Sequence, residues 1–172
     1  MAQYRIVPER SQVWIEARSS LHPMTITADG LEGEIDLVLD GGEVDLDVAP
    51  SGWMSLPVAR LTAGSRLEDH ELRRRIDSRR HPTIDGVLTC VASLGRAGTY
   101  QVSGDVVFHG VTRNYKDEMQ VEQVGERMIR LSGRSTFDLR DFGMDPPRVL
   151  FVRFEPQVEV RVDIVALKAE ES

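Results

Sequence analysis

The amino-acid sequence predicts an all-β fold, in which short antiparallel strands close into a barrel or pack as a sandwich. Apolar and polar residues alternate along most of the chain, which is the period of two that half-buried strands require. Turn-forming residues rich in glycine separate the alternating runs. A helical pattern occurs at one place only, so helices do not connect the strands as they do in a parallel sheet.

Length and charge indicate one globular domain, residues 1–172. The chain has 172 residues, of which 41% are hydrophobic, and a formal net charge of −7. Apolar runs such as 149–152 are far shorter than the ~20 residues of a spanning helix. The acidic balance argues against nucleic acid as a partner, because phosphate contacts need a basic face. Residues 1–8 enter a strand pattern directly, without the basic and apolar segments of a secretory signal, which predicts a cytoplasmic protein.

The strand predictions follow the alternating runs in chain order. The clearest runs place apolar side chains on one face and charged or hydroxyl side chains on the other. The runs lie at 13–17, 35–39, 44–48, 84–90, 100–108, 111–121, 129–139 and 157–167. Turns are expected at 40–42, 95–98, 109–110 and 124–126, where glycine supplies the backbone freedom of a tight connection.

One segment predicts a helix. Ser65 and Glu68 have the spacing of a capping box, in which the serine side chain accepts from a free backbone amide at the start of the helix. The helix is expected to extend from about Arg66 to Ile76 and to pack over one end of the barrel. Its expected apolar stripe consists of Leu67, Leu72 and Ile76.

The predicted inward faces mix large apolar residues with small ones. The small residues are Gly86, Gly104, Gly133 and Ser135. They either leave room for a cavity or mark bulges and bends that curve the sheet, and periodicity alone leaves both readings open. If a cavity is present, the apolar faces predict its wall. The expected lining residues are Val102, Val106, Phe108, Leu131, Phe137, Val160 and Val162.

Three segments carry a resemblance to a known family. Residues 81–84 (HPTI), 104–113 (GDVVFHGVTR) and 137–143 (FDLRDFG) resemble, in order and spacing, the YceI-like polyisoprenoid-binding family. Residues 4–13 (YRIVPERSQV) look like its first strand, and the likeness extends over about 4–165. The resemblance implies an eight-stranded antiparallel lipocalin-like β-barrel with one short helix near one end and an elongated apolar cavity.

The resemblance also implies a function. Family members are associated with binding long isoprenoid chains and not with catalysis, so we expect non-enzymatic binding, transport or storage of a polyprenyl chain, a quinone or a polyprenyl diphosphate. No cofactor is expected besides such a lipid. Family members often pair through exposed barrel faces, and the run 149–154 is a candidate surface for a homodimer.

Two other functions remain open from the sequence. A lipocalin-like enzyme acting on an apolar substrate would need a polar pair inside the barrel, involving His109 or Tyr115. A ligand-free stress or protein-interaction barrel would instead have an interior filled by side chains.

The predicted helix region is basic. Residues 66–81 contain six arginines against four acidic side chains. Arg73, Arg74 and Arg75 are candidates to contact a lipid phosphate or an anionic membrane surface peripherally. A solvated helix face is the simpler interpretation of the same charges.

The remaining polar residues predict no catalytic or metal site. The histidines His22, His70, His81 and His109 are widely separated in sequence. The acidic residues at 36–47 lack the spacing of a calcium loop, and no nucleophile elbow or phosphate-binding glycine loop is present.

The sequence also predicts where the single cysteine and the two tryptophans lie. Cys90 has no partner for an internal disulfide and is expected in the core. Trp14 is expected to face outward or to lie in a strand buried on both sides. Trp53 is expected in a loop, where it closes a small apolar cluster or gates an entrance.

Overall fold

The computed structural model describes residues 1–146, 148–149 and 152–171. The strands are β1 Ala2–Ile6, β2 Gln12–Ser19, β3 Met24–Ala28, β4 Glu32–Leu37, β5 Leu39–Asp40, β6 Glu43–Val44, β7 Ser51–Pro57, β8 Thr83–Arg96, β9 Thr99–Phe108, β10 Val111–Val124, β11 Met128–Asp138, β12 Arg148–Val149 and β13 Val152–Lys168. One α-helix, α1 Arg66–Ile76, follows β7, and short 3-10 helices lie at Pro8–Arg10, Val58–Arg60 and Leu139–Phe142.

Eight strands form a closed ring. Its order is β1, β4, β7, β8, β9, β10, β11 and β13, and β13 returns to β1 with every pairing antiparallel. The long β13 pairs along one edge with β11 and along the other with β2 and then β1. Closure removes the open strand edges that a flat sheet would present. The predicted eight-stranded antiparallel barrel with a lipocalin-like architecture and one helix is therefore confirmed.

The two ends of the barrel differ. At one end, the hairpin of β5 and β6 covers the interior, and the Val44 amide donates to the Tyr100 hydroxyl at 2.8 Å. That hydroxyl donates in turn to a Glu43 carboxylate oxygen at 3.3 Å. At the other end of β9, beyond Phe108, lie α1 and the 3-10 helix Leu139–Phe142. The hairpin therefore closes one end, and the helix borders the other.

The helix forms where its capping residues predict it. The Ser65 side chain accepts from the Glu68 amide at 3.2 Å, and Asp77 ends the helix in the left-handed conformation, with φ of 56°. Ile76 is buried and Leu72 packs against the core, whereas Leu67 is 79% exposed. The predicted stripe is thus wrong at Leu67, because nine residues at 3.6 per turn place it on the side of the helix opposite Ile76.

One predicted strand is mostly turn. The run 44–48 alternates, but β6 ends at Val44, and residues 46–47 form a turn. The Asp47 amide donates to the Asp45 carboxylate at 3.0 Å, which is the local bond of an Asx turn. Side-chain competition for the backbone therefore outweighs the apolar periodicity here.

The prediction that Cys90 lies in the core is wrong. Leu88 pairs with Gly104 and Cys90 pairs with Ser103, so β8 contains one extra residue at this point. Such a bulge shifts the inward and outward alternation by one position. As a result Cys90 is exposed, and Val91 packs against the core instead.

Both tryptophans are on the outer face. Trp53 lies in β7 and not in a loop, stands opposite Glu34 and Val87, and is 45% exposed. Its predicted loop position is therefore wrong, whereas its role in closing an apolar cluster or gating an entrance stays a prediction. Trp14 faces outward, as one of its two interpretations expects, and the Arg161 guanidinium lies 4.3 Å from its ring centroid.

Strands β10 and β11 are paired along only part of their lengths. Their paired positions extend from Val124 and Met128 to Met119 and Gly133. Beyond Met119, β10 continues to pair with β9, and β11 continues to pair with β13. Side chains connect the two strands in this stretch, which we call the β10–β11 seam (residues 111–118 and 134–138).

The proposed dimer surface at 149–154 includes residues outside those that the structure describes. Within the described part of the chain, no helix has the length and apolar character needed to cross a bilayer.

Candidate functional site

The barrel encloses an apolar cavity of about 540 Å³, the main cavity, between the strands and α1. Inward residues of β2, β3, β7, β8, β9, β11 and β13 form its wall, and Leu72 and Ile76 of α1 contribute at one end. Ligand pockets commonly have volumes of about 300–1,000 Å³. The main cavity therefore has the size of a site for a small apolar molecule.

A second, smaller chamber of about 190 Å³ lies deeper in the barrel. Val44 and Tyr100 line it, which places it at the end closed by the hairpin of β5 and β6. Its wall is also predominantly apolar. Side chains therefore do not fill the interior at either level, which argues against the packed barrel that the sequence left open.

The predicted lining residues all lie on the wall of one or both spaces. Val106, Phe108, Phe137, Val160 and Val162 line the main cavity. Val102 and Leu131 line the second chamber, as does Val106. Contact of these residues with a ligand stays a prediction.

The four small inward residues have three different roles. Gly86 lines both spaces and Gly104 lines the second chamber, so both contribute room. A Cβ on Gly133 would lie 2.9 Å from the Glu118 carbonyl oxygen, so glycine there permits the close approach of β10 to β11. The Ser135 hydroxyl donates to the Asp117 carboxylate.

The Asp117–Ser135 pair faces the barrel interior. Asp117 stands opposite Val102, and Ser135 stands opposite Val160, and both of these valines line the interior spaces. The sequence reasoning did not single out Asp117. Its position between Tyr115 and Met119 in a period-two run is the signal that could have identified it.

The three segments that carry the family resemblance meet at the helix end of the main cavity. The His81 and His109 rings have centroids 4.8 Å apart, and His109 Nδ1 is 3.2 Å from the Phe142 carbonyl oxygen. Phe108 and Phe142 form an edge-to-face pair at 5.6 Å. A Cβ on Gly110 would lie 3.1 Å from His81, so the turn after β9 needs glycine for this packing.

An aromatic cluster fills part of the β10–β11 seam. Tyr115 contacts Phe137 with ring centroids 4.4 Å apart and stacks on Phe142 at 5.9 Å. Its hydroxyl donates to Asp141 at 2.8 Å. Burial, followed by the hydrogen bond and the negative charge of Asp141, raises the pKa of Tyr115 to about 12.

Few of the described residues that line the main cavity are charged or titratable. Arg75, Asp85, His109, Asp145 and Glu155 contribute to its lining. Asp85 belongs to the outward-facing row of β8, opposite Ser55 and Val107, and its carboxylate accepts from the Ser55 hydroxyl at 2.6 Å and the Thr83 hydroxyl at 3.0 Å, so that charge does not point into the cavity.

The arginines predicted to contact a head group have different surroundings. Arg75 lines the main cavity and pairs with Glu71 at 3.5 Å. Arg74 pairs with the same carboxylate at 2.7 Å, and this hydrogen bond holds the pKa of Glu71 below its ordinary value. Arg73 donates to the Ala59 carbonyl at 3.1 Å. The helix therefore brings one of the three, Arg75, to the cavity.

The two residues named for the enzymatic alternative have different surroundings. His109 lines the main cavity, whereas Tyr115 is bonded to Asp141. Both contact Phe142, one through its carbonyl oxygen and the other through its ring. Within the residues that the structure describes, no hydrogen bond joins His109 to Tyr115.

Solved structures with the same fold cover nearly all of the chain. BcnA of Burkholderia cenocepacia matches with a TM-score of 0.78 and 16% identity over 93% of this chain and 98% of its own. A polyisoprenoid-binding domain from Saccharophagus degradans, implicated in plant cell wall breakdown, matches with a TM-score of 0.75 and 12% identity over 98% and 100%. A YceI protein of Campylobacter jejuni has a TM-score of 0.59 and 12% identity over 79% and 82%.

The sequence itself matches a family model. No curated protein sequence matches the chain. The model of the YceI-like domain, however, matches residues 4–166. Because this match includes the strands of the barrel, α1 and all three motif segments, the chain belongs to the YceI-like family.

Proposed function

We propose that this protein binds an apolar lipid of the isoprenoid type in the main cavity and carries or stores it without chemical change. The observation that carries the proposal is the apolar cavity of about 540 Å³ inside a closed barrel. Transfer of each CH₂ group from water into such a space is worth ~0.8 kcal/mol. A few isoprene units can therefore outweigh the cost of ordering the chain.

Membership of the YceI-like family supports the same function. The structural neighbour from Saccharophagus degradans is described as a polyisoprenoid-binding domain. Its fold is the fold of this chain, and the interior here has the apolar wall that a prenyl chain requires.

The charges of the cavity favour an uncharged head group. Among the residues that the structure describes, Arg75 is the cation of the lining, and it already pairs with Glu71. Asp145 and Glu155 are carboxylates on the same lining. A diphosphate would meet more negative than positive charge there, whereas a quinone or an alcohol avoids that repulsion.

The test is to identify what the protein binds. Native mass spectrometry of protein purified without added lipid should detect a bound prenyl compound, and titration of emptied protein with geranylgeraniol should show saturable binding. Val160→Phe, which fills the main cavity, should abolish this binding. Val124→Phe adds the same ring at an exposed position and should leave binding intact. The proposal is wrong if wild-type protein binds no prenol, or if both variants bind equally well.

A further inference from the structure

The two interior spaces share a small part of their walls. Met54, Gly86 and Val106 line both the main cavity and the second chamber. The main cavity extends from these residues toward α1. The second chamber extends toward Tyr100 and the hairpin of β5 and β6.

The three shared residues form one row across neighbouring strands. Met54 of β7 stands opposite Gly86 of β8, which stands opposite Val106 of β9. On its other side, Met54 stands opposite Gly33 of β4. Met54 thus has glycine on both neighbouring strands and is the longest side chain of the row, so it determines how far the wall projects inward at this level.

The side chain of Met54 lies across the glycine beside it. A Cβ on Gly86 would be 3.3 Å from Met54 Cγ and 4.0 Å from Met54 Sδ. Methionine has three rotatable side-chain bonds and no branch, so it changes rotamer with little strain. The missing side chain of Gly86 leaves space into which Met54 can turn.

We propose that Met54 is the movable partition that sets the length of the apolar chain that the barrel accepts. This inference rests on the proposed function. A short chain occupies the main cavity alone. A longer chain displaces the Met54 side chain, passes Gly86 and Val106, and places its end in the second chamber.

The geometry also gives the direction of the bound chain. The polar groups Arg75 and His109 line the main cavity, whereas the wall of the second chamber is predominantly apolar. The hydrogen bond from the Val44 amide to Tyr100 holds the hairpin over the far end. The hydrocarbon end therefore points toward Tyr100, and the head group stays near α1.

Methionines elsewhere on the walls provide matched controls. Met24 lines the main cavity and Met119 lines the second chamber, but neither is among the residues shared by both. Met24→Ala, Met54→Ala and Met119→Ala remove the same atoms, and only the change at position 54 removes the partition.

The experiment is a competition assay with geraniol, farnesol, geranylgeraniol and solanesol, in order of increasing length, in which each prenol displaces a fluorescent apolar probe. In Met54→Ala, the affinity for geranylgeraniol relative to farnesol should rise about tenfold over wild type, because the added isoprene unit enters the second chamber without displacing a side chain. The ratio should shift at least about threefold less in Met24→Ala and Met119→Ala, which keep the Met54 side chain.

A second variant changes the passage in the opposite direction. Gly86→Ala adds a methyl group 3.3 Å from Met54 Cγ and fills the space into which that side chain turns. It should reduce binding of geranylgeraniol and solanesol at least about tenfold more than binding of farnesol. This variant keeps Met54, so it tests the partition even if Met54→Ala melts too low for binding assays.

The outcomes separate the two proposals. If wild-type protein binds no prenol of any length, the proposed function fails, and the partition fails with it. If wild type binds prenols but the length preference of Met54→Ala shifts no more than in the two control variants, or Gly86→Ala binds all lengths as wild type does, the partition alone is overturned.

Discussion

The Tyr115 hydroxyl donates a 2.8 Å hydrogen bond to the Asp141 carboxylate and so ties β10 to the turn after β11. Tyr115→Phe keeps the ring contacts with Phe137 and Phe142 and removes this bond. We expect the free energy of unfolding to fall by about 1 kcal/mol, measured by urea denaturation at neutral pH. The partner variant is Asp141→Ala, which removes the acceptor of this bond. A double-mutant cycle without coupling between the two positions would contradict the assignment.

The same residue predicts alkaline sensitivity. The ordinary pKa of tyrosine is 10.0, and that of Tyr115 is raised to about 12, first by burial and then by Asp141. The folded state therefore favours the protonated phenol. Its contribution to stability is complete below pH 10 and is lost as the pH rises from about 10 through 12. Tyr115→Phe should lose less stability than wild type over this range. Equal losses of stability in the two proteins would show that Tyr115 is not the source of the alkaline sensitivity.

The pair of Arg130 and Asp163 predicts a loss of stability as the pH is lowered, whereas Tyr115 predicts a loss as the pH is raised. Arg130 donates twice to Asp163, at 2.9 and 2.6 Å, and these hydrogen bonds hold the pKa of Asp163 below its ordinary value. The contribution of this carboxylate is present above its unfolded-state pKa and is lost as the pH falls through the folded-state value. Arg130→Gln should raise the pKa of Asp163 in an NMR titration. Arg134→Gln, which removes the 3.5 Å pair with Glu159, should leave it unchanged.

Gly33 is required by the close approach of β4 to β7. A Cβ there would lie 2.2 Å from the Trp53 carbonyl oxygen, a position that only backbone movement could relieve. We expect Gly33→Ala to destabilise the barrel by about 3 kcal/mol or more, measured by thermal unfolding. Gly41→Ala has no neighbour within 4 Å and a φ of 59°, so it should cost only about 1 kcal/mol. Similar costs for the two variants would contradict this prediction.

Cys90 should react in the folded protein. It is the one cysteine of the chain, and the bulge after Leu88 exposes it on the outer surface. A thiol reagent added without denaturant should label it to the same extent as in urea-unfolded protein. Protection in the folded state would mean that the bulge is absent or that another surface covers this face.

Local signals predict the elements that are determined locally. The capping residues Ser65 and Glu68 predict α1, and the helix occupies Arg66–Ile76 as expected. Period-two runs predict the long strands, and the closed ring agrees with the fold that the family resemblance implies. These features depend on contacts between residues near in sequence, or on a pattern repeated over many residues.

Features that depend on how a strand pairs with its neighbour could not be predicted from the apolar alternation of that strand alone. The orientation of Cys90 depends on an extra residue in β8 relative to β9. The second chamber and its boundary at Met54 depend on glycines in two adjacent strands. Apolarity marks which faces are inward, but pairwise register decides where they leave space.

The β10–β11 seam is a part of the barrel wall where few bonds hold two neighbouring strands together. Between Val111 and Glu118, the edge of β10 that faces β11 relies on the Asp117–Ser135 bond and the ring of Tyr115, whereas the opposite edge of β10 stays paired with β9 along this stretch. Separating β10 from β11 there breaks few bonds, so thermal opening of the wall costs little along this line. Hydrogen exchange should therefore be early at the backbone amides on this edge, and the same line offers an apolar ligand a sideways exit from the interior.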